Sequence, residues 1–113
     1  MTQEDKELLL KDLCARLPYK VKCMAISDEN ESATITLTGT IVECFDKGIV
    51  SKLKPYLRPM SSMTFEEQRE YLTIPLSPDN PYTMIDWLNA HHFDYRGLIE
   101  KGFALEAHEG MYK

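Results

Sequence analysis

Apolar and polar residues alternate along this chain with two different periods, and the switch between them predicts most of its elements. From Thr2 to Leu17, Leu9, Leu13 and Leu17 recur every fourth residue. Thr2 stands as an N-cap and Glu4 and Asp5 occupy the first turn, so the segment reads as an amphipathic helix. Glu7 with Lys11, then Asp12 with Arg16, fall at i,i+4 spacing on what should be its wet side. Pro18 ends it by disfavouring helix at Leu17. Between Tyr19 and Ile26 the period becomes two: Tyr19, Val21, Cys23 and Ala25 share one face, Lys20 and Lys22 the other. A polar turn over Ser27–Ser32 leads to a second alternating run, Ala33, Ile35 and Leu37 against Thr34, Thr36 and Thr38, and a β-hairpin follows.

Gly39 permits a bend, the β-rich run Thr40–Phe45 predicts a third strand, and Asp46-Lys47-Gly48 supplies turn chemistry before Ile49-Val50. Pro55 and Pro59 predict that the chain from Lys52 to Ser62 runs extended over the surface. Thr64-Phe65-Glu66-Glu67 has the form of a capping box and opens a helix through Leu72. Pro75, Pro78 and Pro81 make a loop. After Asn80-Pro81, Met84, Trp87, Leu88 and His91 fall at helical spacing. Asp94 caps one further turn, and Phe103–Ala107 reads either as a last strand joining the sheet, the reading favoured, or as a strap across it. The expected architecture is α+β: a small antiparallel sheet of three to five strands packed against an N-terminal helix and two or three C-terminal helices, in a single domain over residues 1–113.

Composition narrows the class. With 43% hydrophobic and 27% charged residues the chain has globular proportions. Its longest apolar run, Leu8-Leu9-Leu10, falls far short of the roughly 20 residues of a membrane span, and the acidic start lacks the features of a secretory signal. Cys14, Cys23 and Cys44 form no C-x-x-C pair and leave an odd count, which predicts reduced thiols packed as small hydrophobes and a cytoplasmic setting. A net charge of −5 disfavours general nucleic-acid binding, which needs a cationic surface.

Four constellations carry candidate chemistry. His91, His92 and Asp94, with His108 and Glu106 from the tail, are metal-ligand types. Adjacent helical residues point about 100° apart, however, and the i,i+4 spacing of H-E-x-x-H is absent, so His91 reads instead as the end of the apolar stripe and Asp94 as a cap. Lys47, Lys52, Lys54 and Arg58 lie in a stretch without acids between Lys47 and Arg58, with Tyr56 as a stacking ring and Ser62 just before a helix opening. Lys52, Lys54, Arg58 and Ser62 are the anion-binding candidates, set against a plain solvated loop. Asp94-Tyr95-Arg96-Gly97 is either a recognition turn or an internal staple in which Asp94 caps, Arg96 pairs with an acid and Gly97 supplies an unusual backbone angle. The cysteines lack the setting of a nucleophile. No nucleophile elbow, P-loop or dinucleotide fingerprint is present. The ionisable groups therefore read as scattered for folding and solubility, with no catalytic residue and no cofactor assigned.

Lys54–Met63 (KPYLRPMSSM) and Asn89–Ile99 (NAHHFDYRGLI) resemble a family of small proteins from gut bacteria and the phages or mobile elements they carry. That resemblance implies a cytoplasmic, phage-linked setting and transfers no activity, cofactor or site residue. The leading expectation is a non-enzymatic interaction or regulatory accessory protein whose partner is another protein, bound through Tyr56, Arg58, Tyr95, Arg96 and the loop Thr73–Tyr82. A metal-binding domain or small enzyme built on His91, His92, Asp94 and His108, and a nucleic-acid binder using Lys47–Arg58, are the alternatives. The pattern assigns no oligomeric state.

Overall fold

The computed structural model describes residues 2–27, 31–74 and 83–112. Helix α1 (Gln3–Arg16) leads into a 3-10 turn, then strands β1 (Lys22–Ser27) and β2 (Ser32–Thr36), helix α2 (Gly39–Asp46), strand β3 (Val50–Pro59) and a second 3-10 turn. Helices α3 (Phe65–Leu72) and α4 (Thr83–Ala90) and the two-residue strands β4 (Phe93–Asp94) and β5 (Leu105–Glu106) complete it. The fold is α+β as expected. The sheet is mixed: β1 pairs antiparallel with β2 and β3, while β4 and β5 pair parallel with β3.

Helix α1 begins as the sequence predicts, with a full capping box between Thr2 and Asp5. Leu9 and Leu13 are buried in the core with Val21, Cys23, Leu53, Leu57 and Leu98. Asp12 and Arg16 are a correction. Both are completely buried rather than on the wet side, and a buried charge is tolerated only when paired. Cys14 is also corrected, since it is exposed and only Cys23 is a buried hydrophobe, with Cys44 between the two.

The expected third strand at Thr40–Phe45 is helix α2. Thr38 caps it by accepting from the Ile41 N–H, and Val42 and Phe45 turn into the core. The run is β-branched, but its local propensity is worth less than placing those two side chains against α1 and β3.

The segment predicted as a surface strap is instead the central strand. Bonds from Leu37 N–H to Val21 O and from Ser27 N–H to Glu31 O bracket the β1–β2 ladder, so Val21, Cys23, Ala25 and Ser27 turn their peptide groups toward β2. Lys22, Met24 and Ile26 therefore face β3. Pro55 lies opposite Cys23, a position with no bond to make toward β1, and its missing N–H costs that ladder nothing. Leu53, Pro55 and Leu57 are buried on the core face while Lys52 stays exposed on the other, which is covered only further along, at Tyr56.

The last strand at Phe103–Ala107 is present in shortened form as β5, alongside Tyr56 and Leu57. The proline loop of residues 75–82, including the expected helix opening at Asn80-Pro81, lies outside the described residues, as do residues 28–30 of the hairpin turn. Among the described residues, no helix is long and apolar enough to cross a membrane.

Candidate functional site

Three features of the fold bring the predicted residues into two neighbouring places. Strand β3 ends at Arg58 and Pro59, His91 and His92 follow the end of α4, and the tail after β5 returns past both. Between them lies a cleft of about 490 Å3 lined by Arg58, Ser62, Thr64 and Glu67 on one side, His91 and His92 on another, and Glu106, His108 and Tyr112 from the tail. The expectation that ionisable groups share no site is thus corrected in one respect, because all three histidines line a single cleft.

They are not arranged as ligands. Each imidazole packs on an aromatic ring: His91 on Trp87 with centroids 4.0 Å apart, His92 on Tyr112 at 3.7 Å, and His108 against Tyr56 at 5.4 Å. The His91 Nδ1 lies 2.9 Å from the carbonyl oxygen of Trp87, to which it donates. Asp94 does not enter the cleft. Its two carboxylate oxygens accept from the Leu98 and Ile99 N–H groups, both at 2.9 Å, as a cap for the following turn. Among the described residues, no three His, Cys, Asp or Glu side chains surround a common point.

His92 is the most unusual of the set. Its backbone is left-handed, with φ of 63°, and its ring is buried with Nδ1 lacking a hydrogen-bond partner among the described residues. Burial, helped by the nearby positive charge of Arg16, pushes its pKa down to about 4. The imidazole is consequently neutral near pH 7 and acts as a flat apolar plate against Tyr112. Burial likewise pushes the Tyr112 hydroxyl up to about 12. That hydroxyl accepts from Lys22 N–H at 3.0 Å and donates to Tyr56 O at 2.6 Å, bridging β1 and β3 where their ladder ends.

On the other side of the cleft, Arg58, Glu67, Thr64 and Ser62 are committed to internal bonds. The Arg58 guanidinium donates to both oxygens of Glu67, at 2.7 and 2.6 Å, and lies over the Phe93 ring at 4.2 Å. Those bonds hold the Glu67 carboxyl at about 2, well below the usual range. Glu67 closes a capping box with Thr64, and the Ser62 hydroxyl donates to Pro59 O. Arg58 and Ser62 are therefore used in seating α3 on β3.

The four predicted cations separate. Lys47 pairs with Glu43 on the surface of α2, and Arg58 with Glu67. Lys52 and Lys54 remain together on the outer face of the sheet, opposite Ile26 and Met24. Lys22, two residues before Met24, lies on that same face, and the ζ-amine donates to Met111 O. The period-two pattern of β1 already placed Lys22 on a polar face; only the register of β1 with β3 makes it a neighbour of Lys54.

Tyr56, expected at a partner surface, is buried. Tyr95 and Arg96 belong to a polar network under α1. Arg96 Nε donates to Asp12 Oδ1 at 3.0 Å, Arg16 donates through Nε and Nη2 to the same carboxylate at 2.8 and 3.2 Å, and the second arginine nitrogen also reaches Phe93 O at 2.7 Å. The Tyr95 hydroxyl donates to Asn89 and accepts from Arg96, with both guanidinium groups near its ring. Gly97 has φ of 73°, the left-handed conformation that glycine accepts without strain. Of the two readings of this turn, the geometry is that of an internal staple. Asp12 and Arg16, the residues that anchor it, were missed as site residues because i,i+4 spacing describes a wet and a buried pair equally well.

Helix α3 is the second place. None of its residues is buried, and it is held on the body by polar and aromatic contacts: Arg58 to Glu67, Trp87 Nε1 to Glu70 at 3.0 Å, and Tyr71 against the Trp87 ring at 5.5 Å. Its apolar residues point outward, with Phe65 73% and Leu72 75% exposed. Met60, in the turn leading to the helix, is 39% exposed. The loop Thr73–Tyr82 proposed for the same role lies mostly outside the described residues. No family model, no curated protein and no solved structure matches this chain. The resemblance carried by Lys54–Met63 and Asn89–Ile99 accordingly rests on the sequence alone.

Proposed function

We propose that this chain is a non-enzymatic protein-interaction module whose recognition surface is helix α3 and the turn before it. The observation that carries the reading is the inverted polarity of that helix. A surface helix ordinarily buries its apolar stripe and shows its polar one. Here Glu67, Glu70 and Tyr71 fasten the helix to the body, while Phe65 and Leu72, two turns apart and so on one stripe, face solvent. Two large exposed apolar residues on a helix fastened by its polar face form the kind of anchor pair that fills a pocket on another protein.

The chemistry of the cleft supports recognition over reaction. A nucleophile needs an adjacent base with a free lone pair and a third group to orient it. In this cleft Arg58, Glu67, Thr64, Ser62 and Tyr112 spend polar atoms on structural bonds, and His91 is held by Nδ1 on the Trp87 carbonyl. An accessory role in a phage or mobile element, implied by the resemblance, belongs to the same proposal.

The test is a paired capture. Wild-type protein and the Phe65→Ser/Leu72→Ser double variant, both immobilised, are exposed to lysate of the source cells. The variant keeps the Arg58–Glu67 and Glu70–Trp87 clamps, so its circular dichroism and thermal unfolding should match wild type. The expected result is a specific protein retained by wild type and lost from the variant. Equal retention by both, or no specific protein on either, overturns the reading.

A further inference from the structure

Among the described residues nothing pairs with the outer edge of strand β2, and its residues suit one particular occupant. In the order β2-β1-β3-β4, β2 is the terminal strand. Ala33 and Ile35 bond toward β1 in the ladder bracketed by Leu37–Val21 and Ser27–Glu31, so Ser32, Thr34 and Thr36 turn their N–H and C=O groups outward. Among the described residues no backbone bond reaches those three. Exposed edges are usually blunted by lysine, proline, a bulge or an inward charge. Ser32-Ala33-Thr34-Ile35-Thr36 has none of these, and its only defence is its length of five residues.

We infer that β2 pairs with β2 of a second copy of this chain, antiparallel across a two-fold axis through Thr34. That register is the one in which the strand complements itself. Thr34 meets Thr34 of the other copy and Ser32 meets Thr36, so every outward peptide group finds its mate. On the core side Ala33 lies opposite Ile35, a small residue against a large one, which extends the apolar layer that Ile35 and Ala25 already form beside the core. On the wet side Thr34 faces Thr34 and Ser32 faces Thr36, hydroxyl pairs that stabilise cross-strand contacts. Each copy carries −5, but no charged side chain lies within Ser32–Thr36 and Glu31 falls opposite Leu37, so no like charges meet across the axis. Two-fold pairing also closes the edge, so the assembly stops at a dimer.

The test uses the residue on the axis, because there each substitution meets itself. Edge pairing alone buries less than a standard interface, so a dissociation constant on the order of 100 µM is expected for wild type by sedimentation. Thr34→Lys and Thr34→Glu, placed at an exposed position whose peptide groups face away from β1, should each weaken the dimer at least about tenfold through like charges directly opposite. Mixed in equal amounts they should recover a heterodimer. As a check that needs no variant, amide exchange at Ser32, Thr34 and Thr36 in wild type should slow as concentration rises. A wild-type monomer up to about 1 mM, amides that ignore concentration, or a mixture no tighter than its separate components overturns the proposal.

Discussion

Lowering the pH from about 7.5 to about 5 should destabilise this protein through His92 before its carboxylates begin to titrate. The imidazole has an ordinary pKa of 6.5 in the unfolded chain and about 4 in the fold, where burial and the charge of Arg16 oppose protonation. Above 6.5 it is neutral in both states and the burial is unopposed. As pH falls through 6.5 the unfolded chain takes up a proton that the folded chain refuses, so stability declines until about pH 4 and is then flat in this contribution. Between pH 7.5 and 5 the linkage amounts to about 2 kcal/mol. The clean comparison is His92→Asn, since asparagine tolerates the left-handed backbone at this position and does not titrate. Urea unfolding of both proteins at each pH gives the two slopes, and their difference removes every other group from the reckoning. Wild type should lose about 2 kcal/mol more than the variant over that interval. Parallel losses, or a resonance of His92 that titrates near 6.5 in the folded protein, would refute the argument that its ring is a buried neutral plate.

Three further outcomes follow from the geometry. Asp12→Ala leaves Arg16 buried without its carboxylate and should cost about 3–5 kcal/mol in denaturant unfolding, whereas Arg96→Ala, whose side chain is partly exposed, should cost distinctly less. Glu67, held at about 2, contributes stability that is present above pH 4.5 and is lost as pH falls toward 2; Glu67→Gln should remove that part of the acid transition, read by far-ultraviolet circular dichroism. A thiol reagent at neutral pH should label Cys14 first and leave Cys23, buried and pushed up to about 12, untouched until the protein unfolds; rapid native labelling of Cys23 would contradict its place in the core.

The periodicity and the caps of this chain determined a good deal by themselves. The leucine repeat and Thr2 define α1, the alternations on either side of the polar stretch define the β1–β2 hairpin, and Thr64 with Glu67 defines the start of α3, because each depends on contacts within a few residues. The Asp94 cap was legible for the same reason, whereas the acid that Arg96 pairs with, Asp12, lies 84 residues away and was not. What the tertiary structure decided were the choices that local pattern leaves degenerate. Thr40–Phe45 is a helix because Val42 and Phe45 reach the core that way, and Val50–Pro59 is a central strand because its prolines fall where no ladder bond toward β1 is needed. Asp12 and Arg16 are buried because Arg96 and the carbonyl of Phe93, some 80 residues away, complete their bonds. The meeting of three histidines in one cleft, and the outward apolar face of α3, depend likewise on where distant segments return. Spacing along a chain fixes which side chains share a face, but only the packed neighbours fix whether that face is wet.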